Sequence, residues 1–463
     1  MQINNVKGTH DIIGNEADTY SYVENVMSQI ASMYAFLQVR PPVLEHSELF
    51  VRSVGESSDV VRKEMYTFDD KGGRSLTLRP EFTAGIIRLI VQNKLLPVSE
   101  LPLKTYYCGP VFRYERPQLG RYRQFNQFGV ESVGSNSPYA DVEVIALAYT
   151  ILQSLGLQNV TIKINTLGDD ESRNAYKEAL KKYFANKVEH MCSDCQTRYQ
   201  INPLRILDCK VPEDQEIVRG APTMSHYLSE ASQKRFVKVL DALREMNIPY
   251  EVDDTLVRGL DYYSDTVFEF HYISNKGNNY GAIGAGGHYD KLVKELGGPD
   301  VPGVGFSFGV ERLVSVLSDD DLLPELNNNL DAYVMPIGEE SQEFALNVAD
   351  DIRLLGYRVD MCFDNVKLGN MFKRAEKKGT KLAVIIGEEE IKNNKVIIKN
   401  LKTTEQFDVS IDNLEEKVDE LLNPQEEHHC CQENNDDHEC CHGENHEREC
   451  CEGDECECKK GNE

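Results

Sequence analysis

The stretch "KTYYCGPVFRYERPQLGRYRQFNQFGVE", residues 104–131, limits the fold more than any other. It alternates as two strands around a loop at 116–123, and alternation sends successive side chains to opposite faces. Tyr107, Gly109, Val111, Arg113 and Glu115 share a face on the first strand, and Phe125, Gln127, Gly129 and Glu131 share one on the second. If the hairpin closes near residue 120, Arg113, Glu115, Gln127 and Glu131 meet on one side of a sheet. A strand packed into a core shows an apolar face there, whereas this one is charged.

The loop and its flanks carry Arg113, Arg116, Arg121 and Arg123, in a chain with 77 acidic and 50 basic residues and a net charge of −27. Arginine is permanently charged and its planar fork suits phosphate. In so acidic a body, contact with nucleic acid requires a local basic patch, because phosphate binding is electrostatic. Taken alone, the stretch reads more readily as a solvated basic hairpin, since charge runs are common on surfaces.

Apolar residues at a three-and-four spacing predict a helix over 16–37, stopped by "RPPV". A strand follows at 75–78, then a helix over "RPEFTAGIIRLI" with Pro80 near its first turn. A helix spans 139–156 and "VTIKINTLG" is a strand; residues 169–240 are mainly helical and interrupt the strand pattern. Strand signals resume at 256–273 and 280–288, and 303–317 is a glycine-rich strand entering a helix. Beyond "PELNNNL", strands and helices alternate, which predicts a separate α/β domain with a mostly parallel sheet, closing on a helix near 412–422. The expected divisions are a core in two parts, 1–168 and 241–325, a helical insertion at 169–240, a domain at 330–422 and a tail at 424–463.

Four further stretches bear on chemistry. "TLRPEFTAG" puts Glu81 and Thr83 at a helix start, where a carboxylate also serves simply as a cap. "LVRGLDYYSDTVFEF" groups Arg258, Tyr262 and Tyr263 around Gly259; strict alternation would separate Arg258 from Tyr263, so the chain is expected to bend at Gly259 and begin its strand later. "AIGAGGHYDKL" suits a strand whose backbone approaches a ligand, or a tight bend. "GFSFGVERL" places Arg312 early in an apolar helix.

Together with "KGTHDI" and "VRPPVLEHSELF", these motifs in this order resemble the histidyl-tRNA synthetase family of class II aminoacyl-tRNA synthetases, over residues 1 to about 422. The resemblance implies an α+β fold: an antiparallel sheet flanked by helices, with the helical insertion and a C-terminal α/β anticodon-binding domain. It implies a homodimer joined around Pro42. It also implies a reaction in which L-histidine attacks the α-phosphate of ATP, assisted by Mg²⁺, and the histidyl group passes to the histidine tRNA.

Residue by residue, the resemblance assigns Arg113 to the α-phosphate, Arg312 to the γ-phosphate, Phe125 to stacking on adenine and Glu115 to the adenine amino edge. Arg258 bridges the histidine carboxylate and the α-phosphate; with Arg113 and Gln127 it makes up the catalytic set. Glu81 and Thr83 take the ammonium, next to Phe82, and Gln127 the carboxylate side. Glu131 and Tyr263, with Tyr262 adjacent, read the imidazole nitrogens. Arg116 and Gln118 meet the acceptor end of the tRNA, whose extra 5′ guanosine marks its identity. A paralogous reading is the regulatory subunit of ATP phosphoribosyltransferase, which typically lacks the anticodon domain and erodes the "RGLDYY" residues.

The cysteines divide into two groups. Eight of the 13 follow residue 429, in a segment 424–463 that holds 14 acidic and 3 basic residues, a balance of −11. With almost no apolar residues that tail is expected to be disordered. Its pairs Cys430–Cys431, Cys440–Cys441 and Cys450–Cys451, interleaved with histidines, suit Zn²⁺ or Ni²⁺, or else make a solvated extension that binds nothing. Cys192, Cys195 and Cys209, beside His190, have a zinc-like spacing, but a packed, reduced loop is the favoured reading. No run reaches membrane length and the N-terminus shows no signal pattern, so a cytoplasmic protein with no membrane partner is expected.

Overall fold

The hairpin lies inside a larger sheet. In the computed structural model, which describes residues 3–55, 58–116, 120–326 and 328–423, eight strands run in the order Leu37–Gln38, Leu103–Phe112, Gln124–Val133, Gly303–Gly309, Asn279–Tyr289, Ser264–Ile273, Val160–Thr166 and Tyr250–Val252. The six inner strands pair antiparallel and the short strand at each edge pairs parallel.

Register explains the two characters of this sheet. Gln127 faces Gly109 and Gly309, Gly129 faces Tyr107 and Ser307, and Glu131 faces Thr105 and Gly305. Opposed residues in antiparallel strands share a face, so one face carries the polar and glycine positions. The alternate positions Phe128, Val130, Phe306, Phe308 and Phe270 are buried on the other face. There they join apolar residues of the helices Asn15–Met33, Pro138–Ser154 and Val310–Asp319 in one core. Helices therefore cover the apolar face, leaving the polar face for a ligand.

Local chemistry decides where the elements end. The first helix stops at Met33, short of the periodicity, because Ala35 takes a left-handed φ of 62° and Leu37–Gln38 joins the sheet edge. Pro80 is outside the helix Thr83–Gln92; Glu81 caps it by accepting from Thr83 N at 2.6 Å and Ala84 N at 3.0 Å. The chain is irregular from Asp253 to Tyr263 and the strand begins at Ser264. Helices Asp170–Phe184, Ser193–Ile201, Pro212–Val218 and Glu230–Glu245 occupy the stretch between the Val160–Thr166 and Tyr250–Val252 strands. The first three enclose a small core of their own around Tyr176, Phe184 and Ile206.

The chain divides into two units at Asn327/Asn328. In the second, the strands order as Val359–Met361, Ala332–Pro336, Leu382–Ile386, Lys395–Asn400 and Gln406–Ser410. The first three are parallel, and the last two add antiparallel. The sheet is thus mixed, not mostly parallel, because a hairpin after Ile386 extends it. Among the described residues no helix is long and apolar enough to cross a membrane. Gln118 and the tail, with Cys430, Cys431, Cys440, Cys441, Cys450 and Cys451, lie outside the described residues.

Candidate active site

Two joined cavities lie on the polar face, of about 350 and 320 Å³, sharing Arg113, Glu115, Arg121, Gln127, Arg258 and Ser307 in their walls. The inner one adds Glu81, Thr83, Glu131, Tyr262 and Tyr263. The outer one adds Phe125 and Arg312.

The inner cavity is built around a buried carboxylate. Glu131 accepts from Thr83 Oγ1 at 2.7 Å, from the Tyr289 hydroxyl at 2.8 Å and from the Tyr107 hydroxyl at 3.4 Å. Burial outweighs these donors and pushes its carboxyl up to about 8. Gly305 makes the space: a Cβ there would lie 2.1 Å from Glu131 Oε2. Burial also raises Glu81. Arg258 comes from the irregular segment and pairs with Glu269, which also meets His271 Nε2 at 2.9 Å. Its guanidinium lies 5.7 Å from the Tyr263 ring centre, so the bend at Gly259 does bring the two to one cavity.

On the wall shared by the two cavities, two buried polar atoms lack a hydrogen-bond partner among the described residues: Arg258 Nε and Gln127 Oε1. Gln127 Nε2 donates to Ser307 Oγ at 2.8 Å. Buried polar atoms in folded proteins nearly always have partners, so this orphan donor and orphan acceptor mark the places a polar ligand would fill.

In the outer cavity Arg113 donates from Nε to Pro80 O at 2.8 Å and stands 5.5 Å from the Phe125 ring centre. Arg312 donates to Ala282 O at 2.6 Å. Burial lowers the Arg312 guanidinium, and Arg121 adds to the effect. Arg121 lies 3.8 Å from Glu115. Three arginines thus converge on one small space, as a polyphosphate requires. Glu115, in the shared wall, and Glu64, in the wall of the inner cavity, supply hard oxygen donors nearby; burial first, then the Glu115 charge, raises Glu64. A dication bound with the phosphates would relieve that repulsion, so the residues present fit Mg²⁺.

The site does not gather every candidate. Phe82 is buried, stacked on Tyr107 at 4.3 Å with the Arg79 guanidinium over its ring at 3.8 Å, and does not line either cavity. Arg116 is exposed and also stands outside both walls. Conversely, Tyr289, Ser307 and Glu64 take part without having been singled out, and Tyr107 and Arg121, noted only for their place on the hairpin, take part as well. Tyr289 sits in the glycine-dense motif on the same alternation as Gly287, a signal that was available; Tyr107 shares a face with Glu131 by the hairpin's own parity.

Residues 8–313 match the family model described as histidyl-tRNA synthetase, and residues 331–421 match that of an anticodon binding domain. The chain is 44% identical over 415 residues to the histidine–tRNA ligase of Bacillus subtilis strain 168, covering 89% of this chain and 97% of that protein. It is 43% identical over 423 residues to the histidine–tRNA ligase of Geobacillus kaustophilus, covering 91% and 99%. Among solved structures, the apo histidyl-tRNA synthetase of S. aureus superposes with a TM-score of 0.76 at 35% identity, covering 90% of this chain and 100% of that one.

Proposed function

Because this chain belongs to the histidyl-tRNA synthetase family of class II aminoacyl-tRNA synthetases, we propose that it joins L-histidine to the histidine tRNA, with ATP and Mg²⁺, and that the two joined cavities are where histidine and ATP meet. The observation that carries this is the pair of unpartnered buried atoms, Arg258 Nε and Gln127 Oε1, between a carboxylate pocket and a triad of arginines.

Histidine enters the inner cavity. Glu131 and Tyr263, with Tyr262 beside them, take the two imidazole nitrogens; a competitor without both would leave buried groups unpaired. Glu81 and Thr83 hold the ammonium, and Phe82 stiffens this wall from behind. Gln127 offers Oε1 to the ammonium as it stands, and its amide nitrogen to the carboxylate if the amide is turned over. ATP lies in the outer cavity, its adenine on Phe125 with Glu115 at the amino edge, Arg113 at the α-phosphate and Arg312 at the γ-phosphate. The histidine carboxylate oxygen attacks the α-phosphorus, and the bond to the bridging oxygen breaks to release pyrophosphate. Arg258 spans the two reactants and meets the negative charge that gathers on the α-phosphate. Mg²⁺, when bound near Glu64 and Glu115, supplies charge neutralisation on the phosphates.

The terminal adenosine of the tRNA then receives the histidyl group, with Arg116 and Gln118 at the acceptor end and the second unit at the anticodon. We extend the reading to a homodimer joined around Pro42, in support of which Leu44 and Phe68 are exposed on the small sheet beside it. The domain divisions, a cytoplasmic setting, and Zn²⁺ or Ni²⁺ on the Cys/His tail belong to the same reading. Against the regulatory-subunit alternative stand residues 331–421 and the Arg258–Tyr263 segment, which are both present. Histidine-dependent ATP–pyrophosphate exchange tests the proposal: exchange with histidine and none with other amino acids is expected, and no exchange would overturn it.

A further inference from the structure

Cys192, Cys195 and Cys209 come together in the helical segment, and the fold adds a fourth group that their spacing does not reveal. Asp214, in the first turn of Pro212–Val218, points its carboxylate at the three sulfurs. One ligand atom from each of the four residues lies within 4.8 Å of all the others. Cys195, Cys209 and Asp214 are buried.

The spacing fits a tetrahedral ion. Zinc–sulfur bonds of about 2.3 Å at tetrahedral angles place two sulfurs about 3.8 Å apart. Cys192 Sγ and Cys209 Sγ stand 3.8 Å apart, and all three thiols are free. The same geometry puts sulfur and carboxylate oxygen about 3.5 Å apart. Cys209 Sγ and Asp214 Oδ2 are at 3.1 Å, so the cage needs only a small opening there. The Cys192 backbone N–H donates to both Asp214 oxygens, at 3.3 and 3.1 Å, which fixes the carboxylate's orientation as outer partners of metal ligands do. Cys192 and Cys195 have the two-residue separation of zinc knuckles. Three soft sulfurs disfavour Mg²⁺ and Ca²⁺, and a carboxylate oxygen disfavours Cu⁺, whereas zinc takes both donor types in a tetrahedron.

We infer that Cys192, Cys195, Cys209 and Asp214 form a structural zinc site. Four protein ligands complete the tetrahedron and leave no position for a reacting water. The site also bears on the histidine cavity. The turn Pro203–Asp208 ends immediately before Cys209, and its Arg205 and Asp208 form part of the inner cavity wall. Arg205 reaches Asp59 at 3.8 Å and Asp261 at 4.0 Å, and Arg198 reaches Asp59 at 3.2 Å. Zinc would therefore anchor one end of the segment that closes the histidine pocket.

The test uses the full-length chain with its eight tail cysteines replaced by serine, so that the tail contributes no thiolate. Purified under reducing conditions, this chain should carry one zinc per chain that survives brief exposure to EDTA. Cobalt replacing the zinc should give a tetrahedral visible spectrum with sulfur-to-cobalt charge transfer. Cys195→Ser and Cys209→Ser should lose the metal, and Asp214→Asn should release it to EDTA. Stripping the metal should raise KM for histidine and lower the melting temperature, and zinc should reverse both. A chain that holds no zinc and gives no thiolate–cobalt band overturns the inference. So does zinc that persists in Cys195→Ser, because the ion then sits elsewhere. If the variants fail to fold, the cobalt spectrum of the parent chain decides alone.

Discussion

Arg258→Ala separates a catalytic arginine from one that merely holds the wall together. The guanidinium pairs with Glu269, and the proposed mechanism has it meet the charge that develops on the α-phosphate. Loss of one such donor costs about 2.7–4 kcal/mol of transition-state stabilisation, roughly a hundredfold to a thousandfold in rate. The same substitution strips Glu269 of a partner and leaves it with His271 alone. A half-buried acceptor left short of hydrogen bonds costs about 1–3 kcal/mol of stability. Adding Glu269→Gln removes the stranded charge, so the double variant should recover most of its melting temperature while staying slow. Histidine-dependent pyrophosphate exchange and thermal unfolding, run on the same samples, read the two effects apart. Near-normal exchange in Arg258→Ala, or exchange that returns with stability in the double variant, would refute the catalytic assignment.

Glu131→Gln should change the pH dependence of stability. With its carboxyl raised from 4.5 to about 8, folded Glu131 keeps a proton that the unfolded chain has lost between those values. Its contribution therefore declines as pH rises through the window, by up to about 1.4 kcal/mol per pH unit. Melting curves from pH 5 to 9 should show the variant gaining on the wild type, and parallel curves would contradict the burial argument. Gly305→Ala would put a Cβ 2.1 Å from Glu131 Oε2 and 2.5 Å from Val130 O; overpacking of this kind costs about 1–3 kcal/mol, and exchange activity should fall with it, whereas an unchanged Tm would count against the close fit. Arg116→Ala should impair tRNA charging while leaving exchange nearly intact, and equal loss of both would move Arg116 to ATP or to folding. A chain ending at Asn423 should keep its charging activity and carry less zinc than the full chain, which metal analysis of the two forms checks.

The polar sheet face was readable because alternation is local: Gln127 and Glu131 follow from parity within one strand. What completes the site is not local. Tyr289 reaches Glu131 from a strand two places away in the sheet, 158 residues along the chain, and no window of sequence joins them. Asp214 differs: it is only five residues from Cys209, but no metal-ligand spacing pattern names it, and the turn into a short helix brings it to the sulfur. Ala35 ends a helix whose apolar spacing runs on, because one residue's backbone conformation overrode periodicity. The hairpin at Lys395–Ser410 escaped notice beside the strong βα alternation before it, and it changed the sheet of the second unit from parallel to mixed.

The three hydroxyls around Glu131 imply a count. A carboxylate has roughly four places to accept a hydrogen. Thr83 and Tyr107 occupy both on Oε1, and Tyr289 occupies one on Oε2. One vacancy is left, and burial lets a proton fill it when nothing else does. A ligand that brings a single N–H evicts that proton and closes the shell. An ammonium brings three N–H groups to a carboxylate with room for one. On the proposed reading the pocket would select by the number of hydrogens offered as well as by shape, and histidine binding below about pH 8 should release a proton to solvent, which calorimetry in buffers of different ionisation heat checks.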